Sequence, residues 1–215
     1  MRSDGFRRYP GHLDGDAQRT LLREIEARVR CAPFYRPIAP WGRPMSVEMT
    51  NLGERGWTAS PSGYAYRRHH PLTHAPWPAI PRLLLELWSD LASATVPPDA
   101  CLVNVYRAGA KMGLHQDRDE ADLSVPVVSV SLGDTAWFRL GGPTRRSPCE
   151  RMRLESGDVC VMAGPSRLAF HGVDRIETGQ SDLIPGGGRI NLTVRRAGPV
   201  DPIQPFSIER ALPCR

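Results

Sequence analysis

The sequence predicts a mainly β fold, with a double-stranded β-helix (jelly roll) forming the second half of the chain. Three observations point there. From residue 101 onward, short segments of alternating or apolar texture recur between turn signals, at 101–107, 113–117, 126–132, 136–140, 150–154, 158–162, 167–171 and 189–195. About eight short strands so punctuated suit a sandwich or a jelly-roll barrel. Proline (21) and glycine (20) are abundant for 215 residues, which favours turns over a helical bundle. Before residue 101, only two stretches have clear helical spacing.

The first helix is expected over 17–31, where Leu21, Leu22, Ile25 and Val29 recur among Arg and Glu, and Pro33 ends it. Residues 33–78 are rich in Pro, Gly, Trp and Tyr, with a short alternating run at Met45–Met49, and read as an irregular region with one or more short strands. Pro81 suits the first turn of a second helix carrying Leu84, Leu85, Leu87, Trp88 and Leu91, closed by Pro97 and Pro98. The expected organisation is an N-terminal part (1–100) packed on the barrel core (101–197), with a tail (198–215). Together they make one structural domain.

No apolar run is long enough to cross a bilayer, and no apolar stretch follows the basic N-terminus as in a signal peptide. Five scattered cysteines without C-x-x-C spacing argue against structural disulfides and a zinc ribbon, and favour a reducing cytoplasm. A net charge of +5 favours an acidic partner, nucleic acid foremost.

Chemistry enters at His115-Gln116-Asp117. Residues two apart on an extended chain point to one side, so His115 and Asp117 can face one cation. A third ligand would complete a two-His, one-carboxylate triad of the kind that leaves positions open on iron(II). His171, closing the strand expected at 167–171, is the candidate; His69, His70 and His74 have no carboxylate nearby and read as surface loop.

The segment Arg189–Arg195 alternates strictly. Ile190, Leu192 and Val194 face a core, while Arg189, Asn191, Thr193 and Arg195 face the other way. Such a face suits a polar barrel interior that binds a dicarboxylate, because arginine makes paired, charge-assisted bonds to carboxylates. Cys101–Tyr106 repeats the pattern, with Asn104 and Tyr106 on its polar side.

Taken together these residues resemble the AlkB family of Fe(II)/2-oxoglutarate-dependent nucleic-acid dealkylating dioxygenases. The resemblance runs through Asn104–Lys111, Leu114–Glu120, Val128–Gly133, Gly157–Val159, Phe170–Gly172 and Arg189–Thr193, and reaches Met45–Asn51 and Gly56–Thr58. It implies a jelly-roll core, iron(II) held by His115, Asp117 and His171, and 2-oxoglutarate and O2 as cosubstrates. Arg195 would grip the far carboxylate of 2-oxoglutarate, assisted by Asn104 and Tyr106, with Arg189 and Asn191 at the iron-side end. The N-terminal part would form a nucleotide-recognition lid. Trp57 and His171 would sandwich the damaged base, Asp119 would favour its cationic form, and Tyr64, Arg145 and Glu120 would line or flank the pocket. The partner implied is DNA, with RNA as a second candidate, single-stranded or with a flipped base, and the chain a monomer.

A ring-nitrogen methyl resists simple hydrolysis, so its removal needs a strong oxidant, which the cofactors supply. Hydroxylation yields a hemiaminal that collapses to formaldehyde and the repaired base. Two other readings stand beside this one. The first is an oxygenase of the same chemistry acting on a protein side chain or small molecule; the second is a non-catalytic jelly-roll binding module, which would not need Arg189 and Arg195 inside the barrel.

Overall fold

A computed structural model describes residues 4–199; the tail beyond, including Cys214, lies outside the described residues. Among the described residues twelve strands form three sheets, accompanied by two α-helices. A six-stranded sheet runs β1 (Phe6–Tyr9), β10 (Val159–Met162), β7 (Val127–Gly133), β12 (Arg189–Arg195), β5 (Ala100–Tyr106) and β2 (Glu48–Gly53). Facing it is a four-stranded sheet of β6 (Met112–His115), β11 (His171–Glu177), β8 (Thr135–Leu140) and β9 (Glu150–Leu154). The hairpin β3 (Gly56–Ser60) and β4 (Gly63–Arg67) stands apart. Every pairing is antiparallel, as in a jelly roll.

The two faces of the large sheet have different work. On one, Cys101, Val103, Val105, Val128, Val130, Leu132, Ile190, Leu192 and Val194 pack against the helices α1 (Gly15–Val29) and α2 (Arg82–Leu91). Leu21, Leu22, Ile25, Leu84, Leu87 and Trp88 close that core, each almost wholly buried. The period of 2 then turns Asn104, Tyr106, Arg189, Asn191, Thr193 and Arg195 to the opposite face, which looks into the barrel. Asp14 caps α1, accepting from the Ala17 amide at 2.8 Å. The N-terminal part also adds β1 and β2 to the edges of the large sheet, so the barrel is completed by residues from both sides of position 100.

Two expectations fail here. The strand expected at 167–171 does not form over 167–170: a short 3₁₀ turn at Gly164–Ser166 precedes them and is continued by local bonds from Arg167 N–H to Gly164 O and from Ala169 N–H to Ser166 O, both 3.0 Å. His171 therefore opens β11 and does not end a strand. His70, read as surface loop, is fully buried. Its Nδ1 accepts from the amides of Leu72 and Thr73, its Nε2 lies 2.8 Å from Pro33 O, and its ring packs on Tyr35 and Trp77. No described helix is long and apolar enough to cross a membrane. The four described cysteines are unpaired.

Candidate active site

His115 and His171 are register partners across β6 and β11, which brings their rings to 4.4 Å between centroids. Asp117 follows just past the end of β6. The ligand atoms of His115, Asp117 and His171 all lie within 4.8 Å of one another. His115 Nε2 is 3.7 Å from Asp117 Oδ1, and His171 Nε2 is 3.8 Å from Asp117 Oδ2.

The imidazoles are pre-oriented. His115 Nδ1 lies 2.9 Å from Gly113 O, and His171 Nδ1 lies 3.0 Å from Ala169 O. A carbonyl only accepts, so each Nδ1 carries the proton and each Nε2 lone pair faces the centre. Burial, followed by the neighbouring His115, lowers His171 to about 4, which keeps it neutral at pH 7. Burial alone would raise the Asp117 carboxyl, but Arg195, both imidazoles and Arg167 outweigh it and hold it well below the usual carboxylate range. Two imidazole nitrogens and a carboxylate are the donor set iron(II) takes with positions left open.

A cavity of about 810 Å³ extends from this centre into the barrel. The β12–β5 register orders its wall: Arg195 opposite Ala100, then Thr193 opposite Leu102, Asn191 opposite Asn104, and Arg189 opposite Tyr106. Arg195 Nη2 is 2.9 Å from Asp117 Oδ2 and its Nη1 is 3.0 Å from Glu120 Oε1, so it stands at the metal end, fully countered. Arg189 lies at the other end. Only 1% exposed, it donates to Ser131 Oγ at 2.6 Å, Leu154 O at 3.0 Å and Asp134 O at 3.3 Å, and forms no ion pair among the described residues. Its Nε and the Oδ1 of Asn104 are buried without partners. A buried, uncountered cation is costly, and it makes the deep end a receptor for an anion.

Arg195, expected to grip the carboxylate far from the iron, stands against the candidate metal ligand Asp117, and Arg189, expected at the iron-side end, lies beside Tyr106 away from that cluster. Alternation reports the face of a strand and says nothing of which end of the cavity is nearer the metal.

The remaining expected residues divide. Trp57, Tyr64, Asp119 and Arg145 all line the mouth of the cavity. Trp57 and Tyr64 stack at 5.0 Å across β3–β4, and Trp57 Nε1 donates to Asp119 Oδ2 at 2.8 Å. The Arg145 guanidinium sits 5.1 Å from the Phe170 ring centre. Glu120 does not line the mouth. Its side chain is wholly enclosed, bound by Arg195, by Arg167 at 3.1 Å and by the Tyr66 hydroxyl at 2.7 Å, so no oxygen is left for a base.

Sequence reasoning missed two residues of this network. Arg167 is 2% exposed and donates to Asp117 O, Val125 O and Glu120, bracing the loop that carries the carboxylate ligand. Tyr66 ties the hairpin to Glu120 and accepts from Arg195 at 3.1 Å. The spacing of Tyr64 and Tyr66 in Gly63–Arg67 was the available signal, since period 2 puts both on one face of a strand.

Fold and triad together define a jelly-roll oxygenase with a two-His, one-carboxylate metal centre. Residues 5–195 match the family model described as the 2OG-Fe(II) oxygenase superfamily. The chain is 58% identical over 193 residues to an alpha-ketoglutarate-dependent dioxygenase AlkB homolog of Caulobacter vibrioides, covering 90% of this chain and 88% of that one. It is 45% identical over 187 residues to the alpha-ketoglutarate-dependent dioxygenase AlkB of Escherichia coli K12, covering 85% and 86%. The solved structure of OsALKBH1 superposes with a TM-score of 0.75 at 34% identity, over 91% of this chain and 99% of that one. The chain belongs to the AlkB family of 2OG-Fe(II) dioxygenases.

Proposed function

We propose that the chain oxidatively removes methyl and other small alkyl groups from nucleic-acid bases, 1-methyladenine and 3-methylcytosine in DNA first among them and RNA second. It thereby repairs alkylation damage by direct reversal. One juxtaposition carries this reading: the His-Asp-His centre, the uncountered Arg189 and the aromatic hairpin of Trp57 and Tyr64 all open on a single cavity.

Iron(II) would be held by His115, Asp117 and His171. The far carboxylate of 2-oxoglutarate would meet Arg189 and Tyr106, its middle would pass Asn104 and Asn191, and Arg195 would stand by its iron-side end. Iron(II), dioxygen and 2-oxoglutarate supply the oxidation of the alkyl C–H bond, with succinate and carbon dioxide released. The hydroxylated N-methyl group is a hemiaminal, which breaks its C–N bond to leave formaldehyde and the free base.

The chain's own residues position the substrate. A ring-nitrogen methyl lies on the pairing edge, so the base enters unpaired, from a single strand or by flipping. Trp57 offers its face, and the Asp119 carboxylate beside it favours a cationic, alkylated base over a neutral one. Lys111, Arg118 and Arg145 are exposed around the mouth and suit the phosphates on either side. The enzyme is read as a monomer working in the cytoplasm.

The test is incubation with oligonucleotides bearing 1-methyladenine or 3-methylcytosine, with and without iron(II), followed by mass analysis of the strand. Loss of the methyl group only when iron(II) and 2-oxoglutarate are both present supports the reading. A strand that stays methylated while a peptide or small molecule is hydroxylated rejects it.

A further inference from the structure

Among the described residues Trp41 is the most exposed large hydrophobic side chain, at 69%, yet it borders the same cavity as the metal centre. Its backbone is held firmly. The Gly42 amide donates to Ala39 O at 2.8 Å, the Ala39 amide donates to Arg43 O at 2.9 Å, and Ile38 bridges Pro44. Pro40 presets the turn, and Gly42 takes the positive φ of +81° that closes it. Below the turn, Met45 N–H donates to Pro37 O at 3.0 Å, and Ser46 is hydrogen-bonded to the backbone of Lys111. An indole is thus presented on a stiff ribbon, separate from the β3–β4 hairpin, with the exposed cations Arg43 and Lys111 near its base in the chain and fold.

Neither packing nor the chemistry described above uses this ring. Leaving it in water is unfavourable unless a flat partner covers it. A strand whose target base has left the stack offers such a partner, because the neighbouring base has lost one stacking face. Base–aromatic stacking tolerates any sequence, and a pre-ordered ring loses little entropy in forming it.

We propose that Trp41 is a stacking platform for the nucleobase next to the target, a positioning residue that makes the enzyme prefer a strand to an isolated base. The inference rests on the functional reading above, in which a base enters this cavity from a nucleic-acid chain.

The experiment compares two single-stranded oligonucleotides with one 1-methyladenine each. In one the flanking nucleotides are ordinary; in the other they are abasic, keeping the phosphates and removing the stacking partners. The wild type should show a Michaelis constant about tenfold higher for the abasic-flanked strand, with little change in kcat, on the scale of one lost stack. Trp41→Ala should show that raised value on both strands, and Trp41→Phe should recover most of the difference. A 2-aminopurine beside the lesion should be quenched on binding the wild type and not on binding Trp41→Ala, a readout that needs no turnover. Equal Michaelis constants for the two strands in the wild type, or an equal loss on both strands in Trp41→Ala relative to wild type, would overturn the platform. Failure of the wild type to demethylate either strand would overturn the functional reading itself, and the platform with it.

Discussion

Replacing Arg189 by lysine keeps the charge at the deep end of the cavity and removes the planar fork. In the free protein that fork donates to Ser131, Leu154 and Asp134 and has no carboxylate partner among the described residues. A dicarboxylate would meet it in a site from which water is excluded, where two parallel N–H···O bonds are at their strongest. Losing one charged hydrogen bond is worth ~1.5–3 kcal/mol. At about 1.4 kcal/mol per tenfold, the dissociation constant for 2-oxoglutarate should rise roughly 10- to 150-fold. The assay is calorimetric titration of 2-oxoglutarate into protein loaded with manganese(II), so that binding is read without turnover. Affinity for a methylated oligonucleotide in the absence of 2-oxoglutarate should stay within about twofold. If Arg189→Lys bound 2-oxoglutarate like the wild type while Arg195→Lys lost it, the ends assigned to the two arginines would be wrong.

Three further outcomes are expected. Asp117→Ala or His171→Ala should abolish turnover and weaken metal binding measured by titration, because three ligands leave no spare; near wild-type activity at limiting iron would contradict the triad. Oligonucleotide affinity should fall with salt at a log–log slope of about −2, if Lys111, Arg118 and Arg145 each neutralise one phosphate of a single strand; a flat dependence would remove the basic mouth from binding. Burial opposes the ionised form of Glu120, but Arg195, the Tyr66 hydroxyl and Arg167 outweigh it and hold the folded-state pKa below the ordinary carboxylate value. A depressed pKa gives stability that is present above the unfolded value and lost as pH falls through the folded one. Thermal stability of the wild type should therefore decline below about pH 4.5, a decline that Glu120→Gln should reduce while costing about 3 kcal/mol at pH 7.

Much of this architecture was legible because the barrel strands alternate. In Arg189–Arg195 and Cys101–Tyr106, apolar and polar positions take turns, and those positions are the core face and the cavity face of the large sheet. The H-x-D pair was legible for the same reason, since two residues on one side of an extended chain can share a cation. Its distal partner was found by its apolar surroundings, but the strand around it was misplaced: Arg167 and Ala169 make local bonds to Gly164 and Ser166 that a hydrophobic pattern does not distinguish from a strand. Position along the cavity was also out of reach. Arg189 and Arg195 share a face, and only the cross-strand register shows that one meets Asp117 and the other lies by Tyr106. Glu120 and Asp119 are adjacent in sequence and look alike there, yet one is enclosed by two arginines and the other lines the mouth beside Trp57. The hairpin β3–β4 was hidden among prolines and turns, which concealed Tyr66 and the route by which it joins the base-facing aromatics to the network behind the metal centre.

In the proposed reaction, the cavity holding His115, Asp117 and His171 couples oxidation of 2-oxoglutarate to removal of an alkyl group from a base. The most direct measurement counts formaldehyde and succinate together during turnover of a single-stranded oligonucleotide bearing one 1-methyladenine. Equal amounts of the two products and of repaired strand are expected, all dependent on iron(II) and absent in Asp117→Ala. Succinate formed without formaldehyde, and at the same rate whether or not the methylated strand is present, would contradict it.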